Sequence, residues 1–218
     1  MSDRDQYVIN GEHYLYPTPG GAYYAVSRST DEPVRLFLQR LLRERESPQL
    51  TLEMVCRWTG MDEQGALGLI YHLQSGGLVE GLPMALGAPD DNLETMLPAL
   101  LQQLSDEGKA VLAEKRGLHM AGVGFTHETT EEIAALGAEL IAVQDRHSKL
   151  LHRNLRARAE GWGLVNASGY CEIGFWPLYI GRQYFILAIS GLPQFNQAAF
   201  TSLIWALGVR YGAVGEGS

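Results

Sequence analysis

The first 80 positions hold three stretches in which apolar residues follow helical spacing. Asp31-Glu-Pro33 predicts the start of the first helix and Ser47-Pro48 its end. Two more helices are predicted, over Thr51 to Thr59 and Met61 to Ser75, and a short strand, Leu78-Val79, follows Gly76-Gly77. On the first helix, the spacing predicts a buried face made of Leu36, Phe37, Leu41 and Leu42.

Ahead of these helices, the pattern favours extended chain. Asn10-Gly11 lies between apolar residues within Tyr7 to Tyr16, which is a hairpin signal. Ala22 to Ser27 is predicted as a second extended run.

The second half alternates helical and strand patterns after a Pro- and Gly-rich stretch, Gly81 to Asp91, that interrupts all periodicity. We therefore place a domain boundary near Pro89. The predicted elements are a helix with a leucine stripe from Leu93 to Leu104, strands over Lys109 to Glu114 and Leu118 to Gly124, a long helix after the capping box Thr129 to Glu132 and running through Leu151, strands over Trp162 to Ala167, Tyr170 to Tyr179 and Gln183 to Ser190, and a closing helix over Pro193 to Val209.

The helix pair of the first half resembles a winged-helix module. The residues that carry the resemblance are Leu52, Val55, the Gly60-Met61 turn, Ala66, Ile70, Leu73 and the closing Gly77 to Glu80. In such modules the outward side of the last helix enters the major groove of DNA. Here that side is Asp62, Glu63, Gln64, Gly65, Leu67, Gly68, Tyr71 and His72, which includes no Lys or Arg. DNA affinity depends mainly on cations that displace counterions, so the sequence favours packing on a protein.

The second half resembles the roadblock (dynein light chain) family over residues 91 to 213. Two segments carry the resemblance, Ala110 to Phe125 (AVLAEKRGLHMAGVGF) and Glu131 to Ile141 (EEIAALGAELI). Family members usually carry an Asp ahead of the hairpin turn, where this chain has Glu114 and Lys115. The resemblance implies an α+β class: a profilin-like five-stranded antiparallel sheet flanked by helices. It also implies a homodimer in which two long helices and the neighbouring edge strands pair across a two-fold axis.

The long helix has small residues that permit close approach of a second helix, although they could also accept the helix onto its own sheet: Ala134, Ala135, Gly137, Ala138 and Ala142. We favour dimerisation, with Trp162 to Ala167 as the edge strand that the resemblance implies. The residues expected at the dimer interface are Gly137, Leu140, Gln144, His147, Leu151, Trp162, Leu164 and Asn166.

Charge and composition limit the partners. The 218 residues carry a formal charge of -8, which divides into 7 basic and 12 acidic residues up to Asp90 and 10 and 13 after it. Neither half is basic, which argues against a protein that coats nucleic acid or an anionic membrane. Arg35, Arg40, Arg43 and Arg45 on the first helix could compensate for DNA or form a solvated face. Arg146, Lys149, Arg153 and Arg156 recur at helical spacing, as a solvated stripe or as a docking face for an acidic partner.

Signals for enzyme chemistry are weak. Gly122-Val-Gly124 lacks the third glycine of a dinucleotide fingerprint, and Glu128, Glu131 and Glu132 follow it. His147 and His152 point away from each other on a helix, and Cys56 and Cys171 are expected to be buried free thiols. We therefore expect no catalytic residue, no cofactor and no metal site. The polar N-terminus, Met1 to Gln6, has no secretory signal, so a cytoplasmic location is expected.

Together these patterns predict a winged-helix-like domain with an N-terminal hairpin at 1–88, a roadblock-like dimerisation domain at 91–213 and a tail at 214–218. The predicted function is a non-enzymatic regulatory adaptor that binds protein partners. Roadblock relatives in bacteria often accompany Ras-like small GTPases, so the resemblance implies GTPase regulation. The alternative is a dimeric winged-helix transcriptional regulator that binds DNA half-sites.

Overall fold

The computed structural model describes residue 9 and residues 11–157 and 160–212. The first half forms six elements: β1 (Tyr14–Pro17), α1 (Pro19–Val26), α2 (Pro33–Leu41), α3 (Leu52–Thr59), α4 (Glu63–Ser75) and β2 (Val79–Leu82). The second half forms α5 (Leu93–Gln102), β3 (Ala110–Glu114), β4 (His119–Val123), α6 (His127–Arg146), a π-helix (Lys149–Asn154), β5 (Trp162–Val165), β6 (Cys171–Ile180), β7 (Gln183–Ser190) and α7 (Ala198–Tyr211).

The extended run predicted at Ala22 to Ser27 is wrong, because this segment belongs to helix α1. Thr18 caps the helix by accepting a hydrogen bond from the Gly21 N–H, and Pro19 occupies the first turn, where a missing N–H costs nothing. Tertiary packing decides the conformation, since Ala22 and Ala25 are fully buried in the core.

Strand β1 pairs with β2 in antiparallel register, Tyr14 opposite Leu82 and Pro17 opposite Val79. Residues Tyr14–Pro17 thus have a long-range partner strand. The predicted hairpin at Asn10-Gly11 stays a prediction, because Tyr7, Val8 and Asn10 lie outside the described residues. In the described part of the chain, β2 has β1 as its strand partner and no wing hairpin follows it. The winged-helix assignment accordingly stays a prediction.

The three predicted helices of the first half are present. Thr51 and Asp62 cap α3 and α4 through their side-chain oxygens, and Gly60 ends α3 with a left-handed φ of 70°. The predicted inner face of α4 is buried. On α2, however, Leu36 is exposed and Leu38 is buried. The prediction that Leu36 belongs to the buried face of this helix is therefore wrong.

The second half confirms the α+β class and the five-stranded antiparallel sheet flanked by helices. Its strands lie in the order β4-β3-β7-β6-β5. Along the chain a helix, two strands, a long helix, three strands and a final helix follow one another, as the roadblock resemblance implied. Strand β5 pairs with β6 and forms one edge of the sheet, while β4 forms the other.

Helix α6 differs from its prediction at both ends. It begins at His127, because Thr126 rather than Thr129 supplies the cap and accepts from the Thr129 N–H. It ends at Arg146, and the π-helix continues the chain after His147. The closing helix α7 begins at Ala198 instead of Pro193.

The two halves share one hydrophobic core. A single cluster of buried residues includes Leu38 and Leu73 from the first half and Phe200 and Leu203 from α7. Helix α7 approaches the first half so closely that a Cβ at Gly208 would overlap the backbone carbonyl of Leu42. The domain boundary near Pro89 stays a prediction. The parts of the chain before and after it pack against each other.

The five-stranded sheet has two different faces. Helices α5 and α7 pack on one face. Helix α1 contacts both α7 and strand β6 on this side. The other packs against α6 through a smaller cluster that includes Ile141, Phe175 and Ile186. The first half of the chain thus covers one face, and the outer side of α6 remains open to solvent.

Candidate functional site

The residues predicted at the dimer interface lie on or just after helix α6, in the π-helix, and in or just after the edge strand β5. Trp162 and Leu164 lie opposite Phe175 and Ile173 of β6. Phe175 belongs to the cluster under α6, and Ile173 packs against that cluster. Directly opposed residues point to the same face of a sheet, so Leu164 lies on the α6 side. Its side chain is 61% exposed.

Two of the predicted interface residues point into the chain. Gly137 is buried, and a Cβ there would lie 2.8 Å from the Ile186 side chain and 3.2 Å from Phe175. Gln144 is only 4% exposed. At Gly137 the small residue therefore allows α6 to pack closely against its own sheet, which was the alternative to helix pairing between subunits.

Gln144 ties together three parts of this surface. Its amide nitrogen donates to Glu160 Oε2 at 2.6 Å, and its carbonyl oxygen accepts from Trp162 Nε1 at 2.8 Å. Nε2 of His152, in the π-helix, lies 3.4 Å from Glu160 Oε1. The polar network fixes the end of α6 and the π-helix against β5, so it positions the neighbouring surface.

The remaining predicted interface residues have mixed surroundings. Leu140 and Leu151 are half-buried and His147 is exposed. Asn166 closes a turn, where its side-chain oxygen accepts from the Ser168 and Tyr170 N–H groups.

The sequence reasoning missed Leu136 and Glu160. Leu136 is 47% exposed on α6, on the helical side that also presents half-buried Leu140 and Val143. The leucine spacing could have revealed it, since Leu136 and Leu140 are four residues apart and so lie on one side of the helix. No local signal identifies Glu160, because its partners, Gln144 and His152, belong to other elements of the chain.

The basic residues predicted as a docking face are all exposed, but they do not form one helical stripe. Arg146 is the last residue of α6, whereas Lys149 and Arg153 belong to the π-helix. Arg156 follows with a left-handed φ of 54°. The change in helix type separates Arg146 from the other three.

The arginines of the first half have structural roles. Arg35 is buried, donates to the Tyr24 carbonyl oxygen and lies 3.6 Å from the Glu32 carboxylate. The Arg40 guanidinium lies over the Trp58 ring at 5.0 Å. Burial, followed by the neighbouring Arg40, lowers the pKa of Arg43.

Arg45 is exposed and accompanied by Glu44 and Glu46 in the chain. With Asp62 and Glu63 exposed at the start of α4, the helix pair presents no continuous cationic face for phosphate.

Burial, with the charges of Glu160 and Asp145, raises the pKa of Tyr179 to about 12, so its phenol stays protonated at neutral pH. Cys56 and Cys171 are free and half-buried rather than fully buried. Within residues 11–157 and 160–212, no group of three or more His, Cys, Asp or Glu side chains could hold a metal ion.

The glycines at the end of β4 have structural reasons. A Cβ at Gly122 would lie 2.5 Å from the Thr130 side chain, so that glycine lets α6 approach. Gly124 has a left-handed φ of 75°, as a turn into the α6 cap requires.

Among the described residues, no helix is both long and apolar enough to span a membrane.

Comparison with known proteins gives similarity to solved structures alone. No protein-family model and no curated protein matches the chain. A Roadblock/LC7 domain from Streptomyces avermitilis is 16% identical, with a TM-score of 0.35, over 55% of this chain and 93% of that one. Myxococcus xanthus MglB is 15% identical, with a TM-score of 0.34, over 56% of this chain and 89% of its own.

Proposed function

We propose that this chain is a homodimeric regulatory adaptor without catalytic activity, which binds a protein partner. The observation that carries the proposal is the open edge of β5 beside exposed leucines on α6 and β5. An unpaired edge with an apolar side invites pairing with another chain. A second copy of the chain would pair the strand edge and cover the exposed leucines together, because a two-fold axis places the same surface on each side of the contact.

The charges on α6 favour antiparallel pairing of the two helices. Glu128 and Arg146 are 146 − 128 = 18 residues apart, about five helical turns, so both lie along one line of the helix. Leu136 is close to their midpoint. Leu136 lies about 80° round the helix from this line, so a two-fold axis near Leu136 places Glu128 of one copy and Arg146 of the other at the rim of the contact, twice per dimer.

Replacing Leu164 or Leu136 with glutamate is expected to convert the dimer to monomer. Each change places two carboxylates in the apolar contact, and an unpaired charge there costs several kcal/mol. Both side chains are exposed in the single chain, so folding should be retained. Analytical ultracentrifugation, with circular dichroism to check the fold, measures the result.

The matched control is Leu118→Glu, since Leu118 is equally exposed but lies in the β3–β4 turn. A dimer mass that survives both Leu164→Glu and Leu136→Glu contradicts the proposed interface. Arg146→Glu should weaken the dimer at low salt, and adding Glu128→Lys should restore it, by about 1 kcal/mol per pair at most. If Glu128→Lys, added to Arg146→Glu, weakens the dimer further, the antiparallel arrangement is ruled out.

The partner surface that we propose is the basic group after α6: Lys149, Arg153 and Arg156. These exposed cations stand on an otherwise acidic protein and suit an acidic partner surface. The roadblock resemblance makes a Ras-like small GTPase the first candidate. Such a partner would retain its own catalytic groups, which the dimer would position.

A triple variant, Lys149→Glu, Arg153→Glu and Arg156→Glu, is expected to weaken capture of a Ras-like GTPase at least about tenfold while leaving the dimer intact. Opposite charges guide such docking, and reversing them makes the surfaces repel. Titration of purified GTPase, loaded with GDP or a GTP analogue, measures the affinity.

Equal affinity of the triple variant and the wild type would exclude this surface. Binding of duplex DNA with a steep negative salt slope would instead favour the transcriptional regulator.

A further inference from the structure

The segment that follows α6 has an uncommon backbone conformation. Residues Lys149–Asn154 form a π-helix, after which the N–H of Leu155 donates to the carbonyl oxygen of Leu150, five residues earlier, at 2.9 Å. Arg156 then has a left-handed φ of 54°, which few residues with a side chain adopt. π-Helices are rare, and they occur mostly as single turns at functional sites. Contacts elsewhere in the chain must therefore favour this form over a plain continuation of α6.

The contact that holds the segment is the pair of His152 and Glu160, which we call the latch. Nε2 of His152 lies 3.4 Å from Oε1 of Glu160. The other Glu160 oxygen accepts a hydrogen bond at 2.6 Å from the amide of buried Gln144, which itself accepts from Trp162 of β5. The side chain of Glu160 is 19% exposed and that of His152 is 37% exposed. The latch is thus fixed on the Glu160 side, while its His152 side is open to a competing carboxylate.

A change of helix type would rearrange the cations of this segment. In a continuous α-helix, with about 100° per residue, four exposed cations would lie within about 80° of one another: Arg146, Lys149, Arg153 and Arg156. In the π-helix each hydrogen bond spans five residues rather than four, and Arg146 is separated from the other three. The spacing of the cations therefore suits the α form, whereas the latch holds the π form.

We propose that residues 149–156 switch between these two helix types and that the α form binds the acidic partner. The identity of the ligand rests on the proposed function, but the switch is a property of the single chain. An acidic partner surface competes with Glu160 for His152, the segment continues α6 as an α-helix, and the cations form one stripe. Because this form adds Arg146 to the partner surface, binding shifts the population towards it. Arg146 also lies at the rim of the proposed dimer contact, so the two surfaces meet there.

NMR of the deuterated full chain tests the switch, because a scalar coupling across a hydrogen bond identifies the acceptor. In the wild type, the Leu155 N–H should couple to the Leu150 carbonyl. In His152→Ala, which removes the latch, the same N–H should couple to the Leu151 carbonyl, four residues earlier. His147→Ala is the matched control, since it removes an exposed imidazole outside the latch and should leave Leu150 as the acceptor.

An acceptor that stays at Leu150 in His152→Ala would overturn the proposal, as would coupling to Leu151 in the wild type. Loss of both couplings in His152→Ala would overturn it as well, because the segment would then have unfolded instead of changing its helix type.

Affinity for the partner separates the switch from the proposed function. His152→Ala is expected to bind the purified Ras-like GTPase at least about threefold more tightly than the wild type, because a larger fraction of the chain is already in the binding form. His147→Ala should bind like the wild type. A changed acceptor without any GTPase binding would reject the GTPase as the partner and support the switch. A changed acceptor with equal GTPase affinities would overturn the claim that the α form is the binding form.

Discussion

Replacing Trp205 with alanine is expected to lower the free energy of unfolding by about 3 to 5 kcal/mol. Trp205 lies in α7 but packs on the first half: it is 3% exposed, meets Tyr16 edge-on at 5.7 Å and donates from Nε1 to the Glu44 carbonyl at 2.7 Å. The alanine variant opens a cavity and leaves that carbonyl without its donor. Because a domain is stable by roughly 5 to 15 kcal/mol, this loss is a large fraction of the total.

Urea unfolding followed by circular dichroism and by tryptophan fluorescence measures the effect. Trp205→Phe is the graded control, since it keeps most of the side-chain volume and loses the hydrogen bond. The lost hydrogen bond should lower the free energy of unfolding by about 1 kcal/mol, and the smaller ring should lower it further. The two signals should change together in the wild type, because both halves share one core. Two separate unfolding transitions, one for each half, would contradict the shared core, as would an effect of Trp205→Ala on only one of them.

The contact around Trp205 also shows what the sequence could reveal about domain organisation. The Pro- and Gly-rich stretch near Pro89 marks a change of pattern along the chain, which is a local property. Arg210 of α7 donates to the carbonyl oxygens of Pro89 and Asp91, so the same stretch is held in place by the last helix. Sequence separation of more than a hundred residues hides such a contact from any reading of local pattern.

Elements with strong local signals were predictable. Strand β7 matches its predicted range, Gln183 to Ser190, because a buried apolar run between turn residues has few alternatives. Helix α3 likewise follows from the Thr51 cap and the Gly60 stop. Helix α1 was not predictable in this way, since its Tyr- and Ala-rich run suits a strand as well as a helix and packing on α7 decides between them.

The candidate site was only partly predictable for the same reason. Leu164 could be identified because it lies in a short apolar strand predicted to form an edge. The roles of Gly137 and Gln144 depend on which side of α6 meets the sheet, and that is settled by residues far away in sequence. Small residues on a helix mark close approach without saying what approaches.

Gly137→Leu is expected to destabilise the single chain by about 2 kcal/mol or more. Its side chain would enter the packed contact between α6 and the sheet, where overpacking costs about 1 to 3 kcal/mol and occasionally more. Removing a glycine from a helix returns up to about 1 kcal/mol, so the clash with Ile186 and Phe175 has to exceed that gain. Urea unfolding at low protein concentration measures the difference.

Ala142→Leu provides the matched control, because Ala142 is exposed on the same helix and has room for a larger side chain. The two outcomes for Gly137→Leu separate its possible positions. A chain that is less stable, whatever its dimer mass, agrees with Gly137 lying against its own sheet. A chain of unchanged stability that no longer dimerises would return Gly137 to the subunit contact. The leucine side chain therefore reports directly on which surface of α6 is turned towards the sheet.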